Sequence, residues 1–390
     1  MNTDHHTKIA SYSLDPVLPE KREELGEAAV ALSREAAALG SCVHPVFRNR
    51  LKKLLSYVNC YYSNLIEGQH MHPQFVEQAF RGDYQDAPDK RNMQLLSRAH
   101  IKLQQLLEER VDQESDLEVG SEEFLNWVHT SYYRRVPREF REFPDPDSRK
   151  TIEMKPGELR TRNVTPAGFA MPDARLVPSL LQLFSAKYKP ASFHGSNAVI
   201  AGAASHFRLM ALQPFPAGNG HVVRFFSHAW FHRVQVDAGG LWTLSRGIAK
   251  NQSDYFGFFK SQKELSDFCL FLLERCRGEV RFMSQLLETD RLLARIHKYV
   301  SLRATPLEGL PVLRDEVRFV LEAVMLRGAV ARGEIARISG LGERTARSMI
   351  SSLLDEGLLE SDNHKAPVRL GIPTHVIGWW FPNLYPEGMI

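Results

Sequence analysis

Apolar residues recur at every third or fourth position through most of the first 300 residues, which is the spacing of one buried helix face. This periodicity predicts helices over residues 20–39, 45–65, 91–109, 121–133, 177–187, 196–212, 222–235, 255–263 and 264–287. Ser121 fits the N-cap of the fourth helix, since glutamates occupy its first turn. We therefore expect an all-α core.

Residues 137–162 interrupt the helical pattern. Pro137, Pro144, Pro146, Pro156 and Gly157 break any helix in this stretch, and only a short extended piece follows, near residues 161–165. The segment predicts a small β-hairpin.

Pro306, Gly309 and Pro311 predict a boundary near residues 301–311. Beyond it, the pattern predicts helices at 317–326, 332–338 and 343–356, with a tight turn at 339–342. Short strands at 358–361 and 368–372 flank a turn at 362–365. This order resembles a winged helix-turn-helix.

The composition is that of a globular protein and does not indicate a particular function. The chain has 390 residues, 43% hydrophobic and 24% charged, with a net charge of +3, values ordinary for a globular protein. The four cysteines lack Cys-x-x-Cys spacing. The N-terminus has no apolar signal region, and no apolar run reaches the ~18 residues of a membrane span. We expect a cytoplasmic protein with no membrane partner.

The most distinctive segment is residues 212–224, which read Leu-Gln-Pro-Phe-Pro-Ala-Gly-Asn-Gly-His-Val-Val-Arg. It resembles the active-site loop of the Fic (Fido) family, His-x-Phe-x-Asp/Glu-Gly-Asn-Gly-Arg-x-x-Arg. The matching positions are Phe215, Gly218, Asn219, Gly220 and Arg224. Gln213, Ala217 and His221 stand where the family has histidine, an acid and arginine.

The resemblance implies a Fic/Fido helical fold and ATP as the ligand, with its phosphates held by backbone N–H groups at a helix N-terminus. Gly218 to Gly220 and Arg224 keep that part. The family's histidine is a general base, and Gln213 has no group that titrates. Its acid holds Mg²⁺, and Ala217 offers no ligand, so we do not expect a metal. His221 could still donate a hydrogen bond to the nucleotide, but it lacks the planar fork and the permanent charge of arginine. The candidate nucleotide-binding residues are therefore Phe215, Gly218, Asn219, Gly220, His221 and Arg224.

Ser63-Asn64-Leu65-Ile66-Glu67-Gly68 fits a second pattern of the family, Ser/Thr-x-x-x-Glu-Gly/Asn. The resemblance implies an N-terminal inhibitory helix in which Ser63, Glu67 and Gly68 are the marked positions and Glu67 pairs with Arg224. The alternative is an ordinary helix end closed by Gly68, with Glu67 in solvent.

The two matches suggest a division of the chain. Residues 1–110 form an N-terminal helical region with the inhibitory helix at about 50–68, and residues 111–300 form the Fic core. The winged helix-turn-helix occupies 311–375, and residues 376–390 form a tail. Residues 160–164 correspond to the hairpin flap that aligns a target peptide in the family. Between residues 260 and 264 the chain lacks an insertion that many relatives carry.

Arg344 and Arg347 on the predicted recognition helix are candidate DNA contacts. Acidic residues follow closely, and winged helices also serve as docking or dimer modules. We expect a homo-oligomer, with residues 379–381 covering a core edge or a subunit interface.

Three hypotheses for the function stay open. The chain is a pseudo-enzyme that still binds a nucleotide or phosphate and acts in regulation. Alternatively, it is an atypical protein adenylyltransferase (AMPylator) that uses ATP on an unknown target protein. The third hypothesis is a winged-helix DNA-binding regulator with an empty Fic pocket.

Overall fold

The computed structural model describes residues 14–20, 22–144, 150–163, 171–260, 264–306 and 309–386. The helices are α1 (Arg22–Ser41), α2 (Pro45–Ile66), α3 (Pro73–Arg81), α4 (Pro88–Gln113), α5 (Glu122–Tyr133), α6 (Val177–Lys187), α7 (Ser196–Leu212), α8 (Asn219–Arg233), α9 (Leu244–Ala249), α10 (Gln252–Lys260), α11 (Leu265–Leu286), α12 (Thr289–Leu302), α13 (Val317–Arg327), α14 (Ile335–Ser339), α15 (Glu343–Asp355) and α16 (Thr374–Trp380). The strands are β1 (Glu142–Pro144), β2 (Thr151–Glu153), β3 (Leu359–Glu360) and β4 (Arg369–Leu370).

The helical fold expected from the periodicity is confirmed. Ser121 caps α5, because its hydroxyl accepts the Phe124 N–H at 3.1 Å. The predicted hairpin is β1–β2, paired antiparallel with Phe143 opposite Ile152. The extended piece expected at 161–165 and the flap at 160–164 reach beyond residue 163 and so lie partly outside the described residues, as does the junction at 260–264.

Several helices were not predicted: α3, α9, α12 and α16. The reason is clearest for α9, where every residue from Leu244 to Ile248 is buried. A helix that is buried on all sides has no polar face, so its sequence carries no periodicity. No helix in the described ranges is both long enough and apolar enough to span a membrane.

Helix α8 lies at the centre of the core, against α4, α5 and α7. It is buried along most of its length. The α7–α8 approach is close because α7 has small residues there: a Cβ on Gly202 would overlap the Trp230 indole. The Trp230 indole N–H donates to the Ala198 carbonyl at 2.8 Å. This packing fixes the loop that joins the two helices.

The segment after α12 folds as three helices, α13 to α15, with the β3–β4 hairpin and a bridge from Val330 to Val368. On α15, Ala346, Met349, Ile350 and Leu353 are buried, and Leu354 is half-buried. The chain then returns to the core through α16, where Trp380 is buried and Trp379 is exposed.

The last described residues are held to the core by a buried arginine. Arg246 pairs with Glu279 at 2.8 Å and donates to the carbonyls of Asn383 and Leu384 at 2.6 and 3.2 Å. The Tyr62 hydroxyl also donates to the Leu384 carbonyl, at 3.1 Å. Tyr62 is followed on α2 by Ser63, which lies at the candidate site. One turn of α2 therefore contacts both the C-terminal segment and the candidate site.

Candidate functional site: the α7–α8 loop and the contacts that cover it

The loop begins with a residue in an unusual backbone conformation. Gln213 caps α7 with φ 43° and ψ 70°, in the left-handed region that costs a non-glycine residue about 1–2 kcal/mol. Arg160 supports it: its Nε donates to the Gln213 carbonyl at 2.8 Å and its backbone N–H to the Pro214 carbonyl at 2.9 Å. Arg160 Nη2 also donates to the Pro172 carbonyl, at 2.7 Å. These hydrogen bonds thus hold the turn in its strained backbone conformation.

Phe215 anchors the middle of the loop. Its buried ring stacks on His129 of α5, with centroids 4.0 Å apart. Asn219 closes the turn, because its side chain accepts from the Phe215 N–H at 2.9 Å and donates to the Phe215 carbonyl at 2.8 Å. The matched residues Phe215 and Asn219 are therefore structural in this chain.

His129 is a site residue that the sequence did not reveal. Its Nδ1 accepts the Gly157 N–H at 2.8 Å, so the hydrogen is on Nε2, which donates to the Ala217 carbonyl at 3.3 Å. Burial lowers the pKa of His129 to about 4, so the ring is neutral. No motif spacing marks it, since His129 lies on α5 and meets the loop only through packing.

The residues present do not fit the base and metal positions of the family loop. The Gln213 side chain is buried and has no titratable group. Ala217 presents a methyl group, and its carbonyl accepts from His129. Among the described residues, no group of three or more His, Cys, Asp or Glu side chains is placed to hold a metal ion.

His206, the histidine in α7, does not replace the missing base. The Ser227 hydroxyl donates to the Val223 carbonyl at 2.9 Å, so it accepts from His206 Nδ1 at 2.7 Å. The Tyr255 hydroxyl donates to His206 Nε2 at 2.8 Å. Burial lowers the pKa of His206 to about 3. Both ring nitrogens are thus engaged inside the core.

Arg224 on α8 is held by the end of α2. Its Nη2 contacts Glu67 Oε1 at 2.7 Å and the Ser63 carbonyl at 3.1 Å, and its Nε donates to the Ser63 hydroxyl at 2.9 Å. The Arg224 side chain is 4% exposed and that of Glu67 30%. Gly68 follows with φ 78° and ends the helix. Glu67 is therefore not a solvated helix end but an ion-pair partner of Arg224.

His221 also faces α2. The Asn64 amide nitrogen points to Cys60 Sγ at 3.5 Å, so its oxygen accepts from His221 Nε2 at 3.0 Å. His221 Nδ1 then accepts from the Tyr133 hydroxyl at 3.4 Å. Burial, followed by the nearby Arg224 charge, lowers the pKa of His221 well below its usual range. The residue that replaces the family arginine is neutral and is bonded to α2.

Gly218 and Gly220 permit close approach, as expected, but side chains occupy the space. A Cβ on Gly218 would overlap the Tyr133 phenol, and a Cβ on Gly220 would overlap the Glu67 carboxylate. Helix α8 begins at Asn219, earlier than predicted, with no side-chain cap. Glu67 brings a negative charge close to this helix N-terminus, where the helix dipole favours an anion. We call the backbone of residues 218–220, together with Arg224, the anion cradle.

The candidate DNA contacts lie far from this site in sequence and on the exposed face of α15. Arg347 is exposed and pairs with Glu343 at 2.9 Å, and Arg344 is exposed. Residues 311–375 contain nine basic and nine acidic residues, so the module has no net charge to attract a polyanion.

Comparison with known proteins places the loop in a recognised domain. Residues 121–230 match the model of the Fic/DOC family. A Fic family protein from Desulfovibrio desulfuricans G20 superposes with a TM-score of 0.51 at 18% identity, over 88% of this chain and 95% of that chain. A Fic domain containing signaling protein from Bacteroides thetaiotaomicron VPI-5482 has a TM-score of 0.49 at 17% identity, over 66% of this chain and 94% of that chain. None of the curated proteins compared with the chain matches it. Residues 121–230 thus match the Fic/DOC family domain, and the superposition over 88% of the chain shows a fold like that of a Fic family protein.

Proposed function

We propose that this chain is a Fic-fold protein that does not transfer AMP and that uses its anion cradle as a regulated site for a nucleotide phosphate. The proposal rests on a difference between two sets of positions in one loop, those that bind phosphate and those that accept a proton or hold a metal. The phosphate-binding parts, Gly218, Gly220, Arg224 and the N-terminus of α8, remain in place. The proton-accepting and metal-holding positions are Gln213 and Ala217.

The substitutions at residues 213 and 217 affect proton abstraction and metal binding more than they affect phosphate binding. A positioned general base contributes about 10²- to 10⁴-fold to proton abstraction, and an amide cannot serve as one. Without a carboxylate at residue 217, this loop supplies no hard oxygen ligand for Mg²⁺. Anion binding through backbone N–H groups and an arginine needs neither group.

Control of the site would come from the end of α2. Glu67 pairs with the Arg224 guanidinium and lies beside Gly220 in the first turn of α8, so a phosphate group competes with it for Arg224 and for the space at Gly220. Any signal that moves α2 would change ligand affinity. Because α2 also contacts the C-terminal segment through Tyr62, a partner of that segment could supply the signal.

Calorimetry with ATP, in the presence of Mg²⁺ and in its absence, tests the proposal. We expect weak binding to the wild type, tighter binding to Glu67→Gly, and no binding to Arg224→Ala. Mg²⁺ should leave the affinity unchanged. Arg347→Ala is the matched control, since it removes an exposed arginine of α15.

A transfer assay with ATP labelled in its α-phosphate separates the alternatives. No labelling of Glu67→Gly supports the proposal, whereas labelling that rises in this variant would establish an adenylyltransferase. If neither the wild type nor Glu67→Gly binds ATP, the proposal is wrong. A salt-dependent shift of duplex DNA would then favour the DNA-binding regulator.

A further inference from the structure

The cradle is covered from two sides, and the two covers come from different parts of the chain. Glu67 at the end of α2 lies over Gly220, whereas Tyr133 at the end of α5 lies over Gly218. Tyr133 is buried, with its ring 4.7 Å from His129 and 4.9 Å from Tyr132, measured between centroids. Nothing in the sequence pattern marks Tyr133.

The phenol is held where it lies. Its hydroxyl donates to His221 Nδ1 at 3.4 Å, and His221 in turn donates to Asn64 of α2 at 3.0 Å. His129, against which the ring packs, is itself fixed by Gly157 and Ala217. Removal of Glu67 therefore frees Gly220 and Arg224 but leaves the ring on Gly218.

We propose that Tyr133 is a second closure of the anion cradle, independent of Glu67, which keeps the triphosphate of ATP away from Gly218. This inference rests on the proposed function. A ligand group bound at Gly220 and Arg224 needs only Glu67 to leave. A chain of phosphates that extends along residues 218–220 also needs the Tyr133 ring to move.

Both the hydroxyl and the ring carbons of Tyr133 overlap a Cβ built on Gly218, so loss of the hydroxyl alone still leaves the ring carbons over this glycine. Tyr133→Phe should therefore keep the closure, and Tyr133→Ala should remove it. Tyr133→Val leaves a smaller cavity and provides a second open variant should the alanine variant fold poorly. Thermal melting identifies the folded variants.

The experiment is ATP calorimetry in the Glu67→Gly background. We expect Tyr133→Ala, and in the same direction Tyr133→Val, to tighten ATP binding at least tenfold, and Tyr133→Phe to leave it unchanged. Equal ATP affinity with tyrosine, alanine and valine at this position would overturn the second closure while leaving the proposed function intact. A phenylalanine variant that binds as tightly as alanine would instead assign the closure to the Tyr133 hydroxyl and overturn the ring as the obstacle. If no folded variant binds ATP, both proposals are wrong.

Discussion

The Glu67–Arg224 ion pair both stabilises the fold and closes the anion cradle. A substitution that weakens the pair should therefore lower the free energy of unfolding and raise the affinity for ATP. Glu67→Gln keeps the shape of the side chain and removes its charge. The pair is 2.7 Å long with an arginine side chain 4% exposed, so it is stronger than a surface pair, for which 0.2–1 kcal/mol is typical. In the Glu67→Gln variant, Arg224 keeps its two contacts with Ser63, so its guanidinium still has hydrogen-bond partners.

From these contacts we expect Glu67→Gln to lower the free energy of unfolding by about 1–2 kcal/mol, near the low end of the ~1.5–3 kcal/mol typical of hydrogen bonds to charged groups, because the Glu67 side chain is 30% exposed. The same free energy holds the cradle closed. Since about 1.4 kcal/mol corresponds to a factor of ten in a binding constant, ATP should bind the variant roughly tenfold more tightly.

Urea denaturation followed by tryptophan fluorescence measures the first effect, and calorimetry measures the second. A double-mutant cycle with Arg224→Met isolates the pair, and the coupling energy should be about 1–2 kcal/mol. Glu343→Gln, in an exposed ion pair with Arg347, is the control and should change stability by less than about 0.5 kcal/mol. A coupling energy near zero, or an ATP affinity that falls with stability, would refute the reasoning.

Three further predictions concern the core around the site. Tyr255→Phe removes the hydroxyl that donates to buried His206 Nε2, so it should lower the free energy of unfolding by about 1–3 kcal/mol in urea denaturation; an unchanged midpoint would contradict the hydrogen bond. The folded-state pKa values of His129 and His206, about 4 and about 3, lie below the value of about 6.5 in an unfolded chain. Their neutral forms therefore add stability above pH ~6.5 that is lost as the pH falls towards 4, and His129→Gln should flatten that decline in denaturation curves taken from pH 7 to pH 4.5. Arg246→Ala strands the Glu279 carboxylate, with an expected cost of about 3–5 kcal/mol, and should expose the C-terminal segment to limited proteolysis, whereas Arg246→Met with Glu279→Leu should cost less.

Much of the helical architecture could be predicted because most of the long helices have one buried and one exposed face. The bounds of α6 and α7 agree with the periodicity, and α2 differs by a single residue at its end. Helix α9 could not be found this way, since burial on every side removes the periodic contrast between apolar and polar positions.

The candidate site was predictable only where one of the two sequence motifs contains its residues. The pattern of residues 213–224 marks the turn, the glycines and Arg224, and the pattern of residues 63–68 marks Glu67. His129 and Tyr133 carry no such mark, because both reach the loop from α5 and contact it through packing or single hydrogen bonds. Arg160 begins the predicted flap, but its hydrogen bonds to the Gln213 and Pro214 carbonyls are seen only in the structure.

The sequence by itself determined which side chains the loop carries: in any conformation, glutamine at 213 has no titratable group and alanine at 217 has no carboxylate. It also determined the glycines that let other groups approach the backbone. Only the tertiary structure decided what approaches: a phenol over Gly218 and a carboxylate over Gly220. Their positions depend on how α2 and α5 pack against α8, and contacts between segments distant along the chain leave no periodic trace in the sequence.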